Sequence, residues 1–178
     1  ADVYENFTDV DYVYAVNPKL IRDPAPISLV TYREMRELSY AGFNVYQEEA
    51  LLPVFRAGIP VNIRNANNPA CPGTMIVANR TSDSHSIRVA GIASDSGFTS
   101  IYVSKYLMNR EVGFGRRLLS IFEDEHISYE HTPTGIDDMT IILRSSALQN
   151  GALDRVVSRI YRELNADDVQ VTDGLSLI

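Results

Sequence analysis

Gly113-Phe114-Gly115-Arg116-Arg117-Leu118-Leu119-Ser120-Ile121-Phe122 and Leu153-Asp154-Arg155-Val156-Val157-Ser158-Arg159-Ile160-Tyr161-Arg162-Glu163-Leu164 are the stretches on which the fold turns. In the first, Phe114, Leu118, Ile121 and Phe122 recur at i, i+4, i+7 and i+8. In the second, Leu153, Val156, Val157, Ile160, Tyr161 and Leu164 recur at i, i+3, i+4, i+7, i+8 and i+11. Each spacing gathers apolar side chains on one stripe of an α-helix. Short strands surround the two helices. Val89–Ser94 and Thr99–Lys105 read as strands joined by turn chemistry at Asp95-Ser96-Gly97. Ile127–His131 and Met139–Leu143 flank a turn at Pro133–Asp138. Val169 with Val171, and after Asp173-Gly174 Leu175 with Leu177, complete the set. The order strand, strand, helix, strand, strand, helix, strand, strand predicts an α+β fold, with sheets that carry helices on one face.

Upstream, Phe7 to about Ile63 suits an α/β unit. Asn17-Pro18 and Asp23-Pro24-Ala25-Pro26 mark a loop, because a residue before proline is pushed out of the helical region. Thr31 is placed to cap a helix, with Glu34 three residues later as its reciprocal partner. Met35, Leu38 and Ser39 follow at helical spacing, and Ala41-Gly42 ends the element. A second helix is expected over Glu48–Ala57, closed by Gly58, and a strand over Ile59–Ile63. Asn65–Gly73 is loop, Met75–Ala78 a short strand, and Asn79–Ser86 polar enough for a linker. A domain boundary is therefore expected near residue 80. Both ends read as interior text, Ala1 because it is not Met and Ile178 because a strand stops there uncapped, so a piece of a longer protein is expected.

Of the 178 residues, 45% are hydrophobic and 22% charged, the profile of a folded globular chain. The formal charge of −7 disfavours a broad phosphate-backbone contact and so a nucleic-acid partner. Apolar runs are too short to span a bilayer. Ala1-Asp2-Val3-Tyr4-Glu5 has neither the basic start nor the apolar centre of a secretory signal. Cys71, the single cysteine, has no internal partner, which suits a reducing cytoplasm.

Among residues with chemistry to offer, Gly113 and Gly115 bracket Phe114 where a helix begins. Glycines admit a ligand close to the backbone, and free N–H groups at a helix start favour an anion; the same pair can also simply start a helix. His126 and His131 lack the companions that a zinc site needs, so no metal is expected. Cys71 reads as a passive thiol. Arg116 and Arg117 oppose the dipole of their helix and read as a solvated face. Thr134-Gly135-Ile136-Asp137 reads as a turn with Gly135 at positive φ.

Several stretches together carry a resemblance. Thr8-Asp9-Val10-Asp11-Tyr12-Val13-Tyr14-Ala15-Val16-Asn17-Pro18 is similar to the TDVDGVYTADP signature of the amino-acid kinase domain of aspartate kinases. Glu37-Leu38-Ser39-Tyr40-Ala41-Gly42, Ala50-Leu51-Leu52-Pro53 and Gly58-Ile59-Pro60-Val61 resemble that family's ELSYFGA…P…IPV stretch. Asn67-Asn68-Pro69-Ala70-Cys71-Pro72-Gly73-Thr74 resembles its NPxAPGT loop. Glu111-Val112-Gly113-Phe114-Gly115 and Thr132-Pro133-Thr134-Gly135-Ile136-Asp137 look like the paired ACT modules of monofunctional members. Departures are Tyr12 for Gly, Asn17 for Asp, Asn44 for Lys and Gln47 for His.

The resemblance implies the end of a kinase domain over 1–80 and a tandem ACT region over 81–178. Its first ferredoxin-like module would cover about 99–145, and a second, incomplete one about 87–94 plus 146–178. It implies nucleotide contacts at Thr8, Asp9, Tyr14 and Lys19, with ATP and Mg serving the longer parent and no cofactor expected in this piece. It implies an amino-acid effector, lysine or else threonine, held by Met108, Glu111, Gly113, Phe114 and Gly115 on one wall and by Ser128 and Glu130 on the other, in a homodimer formed through the ACT modules. The family's N-terminal Lys-Phe-Gly-Gly element has no counterpart here. Positioning supplies most of phosphoryl-transfer catalysis, so this chain alone is expected not to phosphorylate aspartate and to hold no catalytic residue. The competing expectation is a non-enzymatic ACT-type amino-acid-binding or dimerisation module.

Overall fold

The computed structural model describes residues 1–40, 48–80 and 89–178. Asn44, Gln47, the Ala41-Gly42 helix end and most of the expected 79–86 linker lie outside them. Two compact units form, Ala1–Asp95 and Ser96–Leu177. Among the described residues no helix is long and apolar enough to cross a membrane.

In the first unit, β1 (Tyr4–Thr8) runs parallel to β5 (Val61–Asn65), which is antiparallel to β6 (Thr74–Val77). β6 in turn runs parallel to β4 (Leu29–Thr31), giving the order β1-β5-β6-β4. A ribbon of β2 (Val13–Tyr14) and β3 (Pro26–Ile27) lies apart from that sheet. Val13, Val30, Met35, Val61, Ile63 and Ile76 are fully buried together. The helix α1 (Tyr32–Tyr40) starts as its sequence dictates: Thr31 Oγ1 accepts from the Glu34 N–H at 3.2 Å, and Glu34 Oε2 accepts from the Thr31 N–H at 2.8 Å. Burial alone would raise the Glu34 carboxyl, but the two Thr31 hydrogen bonds and Arg80, 2.9 Å away, leave it below its usual range. The Tyr32 ring of α1 meets Phe55 of α2 (Glu48–Arg56) edge-on, with centroids 5.2 Å apart.

In the second unit, β7 (Asp95–Ser104) is followed by α3 (Phe114–Asp124), β8 (Asp138–Arg144), α4 (Ala152–Leu164) and β9 (Asp168–Leu177). The sheet order is β8-β7-β9. Residues 130–134 run antiparallel beside β8 through the bridges His131↔Ile142 and Thr134↔Met139. Ser104 receives a bond from the Asp167 N–H while Thr99 reaches Asp173, so β9 is antiparallel to β7. The result is a βαββαβ module with both helices on one face, the ferredoxin-like arrangement. Ile101, Val103, Leu118, Ile121, Ile141, Val156 and Ile160 form its core.

Several expectations are corrected. The boundary falls between Asp95 and Ser96 rather than near residue 80. Residues 89–94 form no strand: the Ile92 N–H bonds the Ala15 carbonyl at 2.7 Å, and Ala93 joins the first core. The ranges 99–145 and 87–94 plus 146–178 do not separate two modules, because α4 shares its core with α3 and β9 pairs with β7. Asp95-Ser96-Gly97 and Asp173-Gly174 do not reverse the chain. Each lies within a single ten-residue strand, where the glycine, at φ 88° or 72°, bends the strand instead. Gly135 is not at positive φ; a Cβ there would stand 2.6 Å from an Asp138 carboxylate oxygen, so a larger residue needs the Asp138 side chain to shift.

Candidate functional site

Each unit carries a candidate site at one end of its sheet. In the first, β1 and β5 finish side by side, with Thr8 opposite Asn65. Such carboxyl ends of parallel strands are where open α/β sheets receive ligands. The Thr8 hydroxyl donates to Asp9 at 3.2 Å. Asp9 is exposed and Thr8 half-buried. Behind them the Asp11 carboxylate accepts from the side-chain amides of Asn65 at 2.8 Å and Asn68 at 3.1 Å. The Cys71 thiol donates to the Asp11 carbonyl at 3.4 Å, and its hydrogen bond with Tyr12 pushes the Tyr12 phenol up. Gly73 closes the loop against β5: a Cβ there would stand 2.1 Å from the Ile63 carbonyl oxygen.

This edge brings Thr8 and Asp9 together, but not the other two expected residues. Tyr14 sits on the β2–β3 ribbon and pairs with Pro26. Lys19 is exposed in the next turn, where its N–H bonds the Asn17 side chain at 2.9 Å. Arg64 is occupied by Glu5 at 2.9 Å and the Pro69 carbonyl at 2.7 Å. Among the described residues Thr8 and Asp9 offer a hydroxyl and a carboxylate, which suit the hydroxyls of a sugar better than a polyphosphate. Among the described residues there is also no group of acidic, His and Cys side chains able to hold a metal ion. Sequence reasoning missed Asp11, Asn65 and Asn68. The asparagines read only as turn punctuation, whereas their amides tie two loops through one carboxylate.

In the second unit the loop after β7 leads into α3. Leu107 adopts a left-handed conformation, φ 62°, before a 3₁₀ turn at Met108–Arg110, and Gly113 at φ 77° caps α3. Bulky side chains rarely enter that region, so the loop is held by its surroundings. The Glu111 carboxylate does much of the holding. It accepts from Lys105 Nζ at 2.6 Å and from Arg117, and the Lys105 ammonium keeps it below the usual carboxylate range. Lys105 also donates to the Leu164 carbonyl at 2.6 Å and lies 5.8 Å from the Phe114 ring centroid. At the helix start Phe114 N–H bonds the Glu111 carbonyl and Arg117 N–H that of Gly113. The N–H groups of Gly115 and Arg116 remain as donors, with an open approach beside Gly113, where a Cβ would meet nothing within 4 Å.

The expected effector residues divide. Glu111 and Gly113 lie in the loop and Gly115 in the first turn of α3, where a Cβ on Gly115 would meet Met139 Sδ at 3.7 Å. Met108 and Phe114 are buried in the core, so only their backbone can face a ligand. Ser128 is exposed and Glu130 half-buried, paired with Arg144 at 3.6 Å. The register keeps these two from the loop. The Glu130 N–H bonds the Ile142 carbonyl, and Ile142 lies opposite Ser100, four residues back along β7 from Ser104. That is roughly 13 Å along a strand. The residues that share the loop's end of the sheet are Thr134–Asp137, joined to it by the Lys105 N–H to Asp137 carbonyl bond of 2.8 Å.

Residues 1–65 match the amino acid kinase family. The whole chain is 59% identical to Aspartokinase 3 of Bacillus subtilis over 178 residues, which cover 39% of that protein. It is 30% identical over 182 residues to a bifunctional aspartokinase/homoserine dehydrogenase of Haemophilus influenzae, covering 22% of it. The aspartate kinase of Clostridium acetobutylicum superposes on 99% of the chain with TM-score 0.89 and 39% identity, 40% of that structure being covered. E. coli aspartokinase III in complex with lysine and aspartate shares the fold, with TM-score 0.75 at 21% identity over 99% of the chain and 38% of that structure. The chain thus spans less than half the length of each of these four relatives. Similar to them along its full length, the chain belongs to the aspartokinase family.

Proposed function

We propose that this chain is the regulatory region of an ATP-dependent aspartate kinase, which transfers the terminal phosphoryl group of ATP, with Mg, to L-aspartate as the first step toward lysine, threonine and methionine. The region binds an end-product amino acid, lysine in preference to threonine, and biases the kinase toward an inactive state. The observation that carries this reading is the start of α3, where two backbone donors face an open approach beside Gly113. An amino-acid carboxylate fits those donors. Its ammonium then needs an anionic partner, and Glu111 stands in the same loop.

Ser128 and Glu130 supply the second wall from another copy of the chain, since within one copy they lie roughly 13 Å along the sheet from the loop. The effector therefore bridges a homodimer in the cytoplasm. Thr8 and Asp9, with Tyr14 and Lys19 further along the chain, contact nucleotide only when the rest of a kinase domain supplies the phosphate-binding cations, and the chain alone is inactive. Two related structures support the regulatory part of the reading: the Clostridium enzyme is described as allosteric, and the E. coli one as a T-state complex with lysine. An effector of this kind must bind one conformation better than the other. Isothermal titration of the chain with lysine and threonine at millimolar concentration tests it. Saturable heat with lysine is expected, and no heat from either amino acid, alone or together, overturns the reading.

A further inference from the structure

We propose that Lys105 is a two-position switch, held by Glu111 in the structure and transferring to Asp137 when a ligand's ammonium takes Glu111. The proposal rests on the reading of Glu111 as an effector contact. It deepens that reading by naming what the ligand competes with and where the displaced charge goes.

Lys105 directly follows β7, and its N–H donates to the Asp137 carbonyl at 2.8 Å, continuing the register in which Ser104 faces Asp138. Residues opposed in this way project side chains to the same face of a sheet. Asp137 Oδ1 is shut off from solvent and has no hydrogen-bond partner. The Lys105 ammonium instead reaches Glu111 at 2.6 Å and the Leu164 carbonyl at 2.6 Å. One cation therefore has two carboxylates at hand and uses one of them. A shielded carboxylate oxygen without a partner is costly, so a second position for the ammonium is already prepared.

Both oxygens of Glu111 are engaged without ligand, one by Lys105 and the other by Arg117. An incoming ammonium competes with these cations for the same carboxylate. Lys105 has a partnerless carboxylate oxygen, Asp137 Oδ1, on its cross-strand neighbour. Its transfer would also release the Leu164 carbonyl at the end of α4, three residues before Asp167, which bonds β7 and the Tyr106 N–H. Occupancy of the loop thereby reaches the α4–β9 junction. The ligand class follows: an amino acid with an ammonium free to meet Glu111, the side-chain ammonium of lysine being best suited.

The first test is a double-mutant cycle on the whole chain. Lys105→Met, Asp137→Asn and the pair are made with Glu111 present and again with Glu111→Gln, and Tm is read. With Glu111 present, the two changes are expected to add. With Glu111→Gln, Asp137→Asn is expected to cost about 2–4 °C more when Lys105 is present than when it is Met. Additivity in both backgrounds overturns the switch whether or not any amino acid binds. The second test is lysine titration, in which Asp137→Asn is expected to weaken binding about tenfold by removing the refuge of the displaced cation. An unchanged Kd overturns the proposal. Coupling that appears with Glu111→Gln, together with no lysine heat in the unaltered chain, upholds the switch and removes the effector reading instead.

Discussion

The two units hold their loops by different means. In Ala1–Asp95 the loop end is fixed mainly by neutral donors and close backbone: amides of Asn65 and Asn68 on the Asp11 carboxylate, a thiol on its carbonyl, and Gly73 against Ile63, with Arg64 on the Pro69 carbonyl as a charged donor. In Ser96–Leu177 it is fixed by charge, Lys105 and Arg117 on Glu111, and further ion pairs lie elsewhere in the unit: Arg144 with Glu130, and Arg159 shared among Asp124, Glu125 and Glu163. Arg159 and Arg162 draw the Glu163 carboxyl down to about 2. Neutral contacts of short reach fix one geometry, while exchangeable ion pairs permit two. The difference suits a scaffold on one side and a responsive module on the other.

The comparison is broken most severely if the first unit tolerates added volume at its closest backbone approach. Gly73→Ala places a Cβ 2.1 Å from a main-chain oxygen at φ 79°, and is expected to cost about 4 kcal/mol or more. Hydrogen exchange resolved by segment should show the loss within residues 1–95 and little change in α3 and α4. A cost under about 1 kcal/mol would show that the loop yields.

Thr74 gives the next largest effect. It is fully buried, accepts from the Val13 N–H at 2.9 Å and donates to the Ile27 carbonyl at 2.5 Å, joining the β2–β3 ribbon to the sheet. Thr74→Val keeps the shape and strands both partners, at an expected cost of about 2–3 kcal/mol by urea unfolding. Because neither partner titrates, the cost should be the same at pH 5 and pH 8.

A smaller effect belongs to the capping box. Thr31→Ala should cost about 1 kcal/mol and fray the start of α1, seen as faster exchange at Met35 and Arg36. Unaltered exchange there would mean that burial of Tyr32 and Met35 alone sets the helix start.

The box also shows what could be read from sequence. Thr31 and Glu34 were legible because the interaction closes within four residues. The stripes of α3 and α4 were legible because their burial pattern is periodic. What escaped depends on partners distant in the chain. Asp173-Gly174 has the chemistry of a turn, but its strand continues because Thr99, seventy-four residues earlier, takes the Asp173 carboxylate. Val89–Ser94 has the alternation of a strand, but the bond its backbone makes is from Ile92 N–H to the Ala15 carbonyl, and residues 89–94 join no sheet. Glu130 has the right chemistry for an ammonium, yet the pairing of residues 130–134 with β8 sets it midway along the sheet, which periodicity cannot reveal.

Asp173 carries the smallest prediction and the sharpest contrast with Thr74. Its Oδ1 accepts from Thr99, whose side chain is buried, at 2.7 Å and from Ser145 at 2.8 Å. Those two hydroxyls, with the Gly174 N–H, hold the carboxyl below its usual range. A carboxyl lowered in the folded state contributes stability that is fully present above its unfolded value, about 3.9, and is lost as pH falls through the lower folded value. Asp173→Asn resembles the protonated side chain, so it should lower Tm at pH 6, and the difference should shrink as pH falls through the lowered folded value. A gap between the two proteins that persists unchanged through that range would mean that shape, rather than charge, pins β9 to β7. The pH dependence that Thr74→Val lacks is the signature expected here, since the bond that Thr74 makes and the bond that Asp173 makes differ in whether an acceptor can be switched off by a proton.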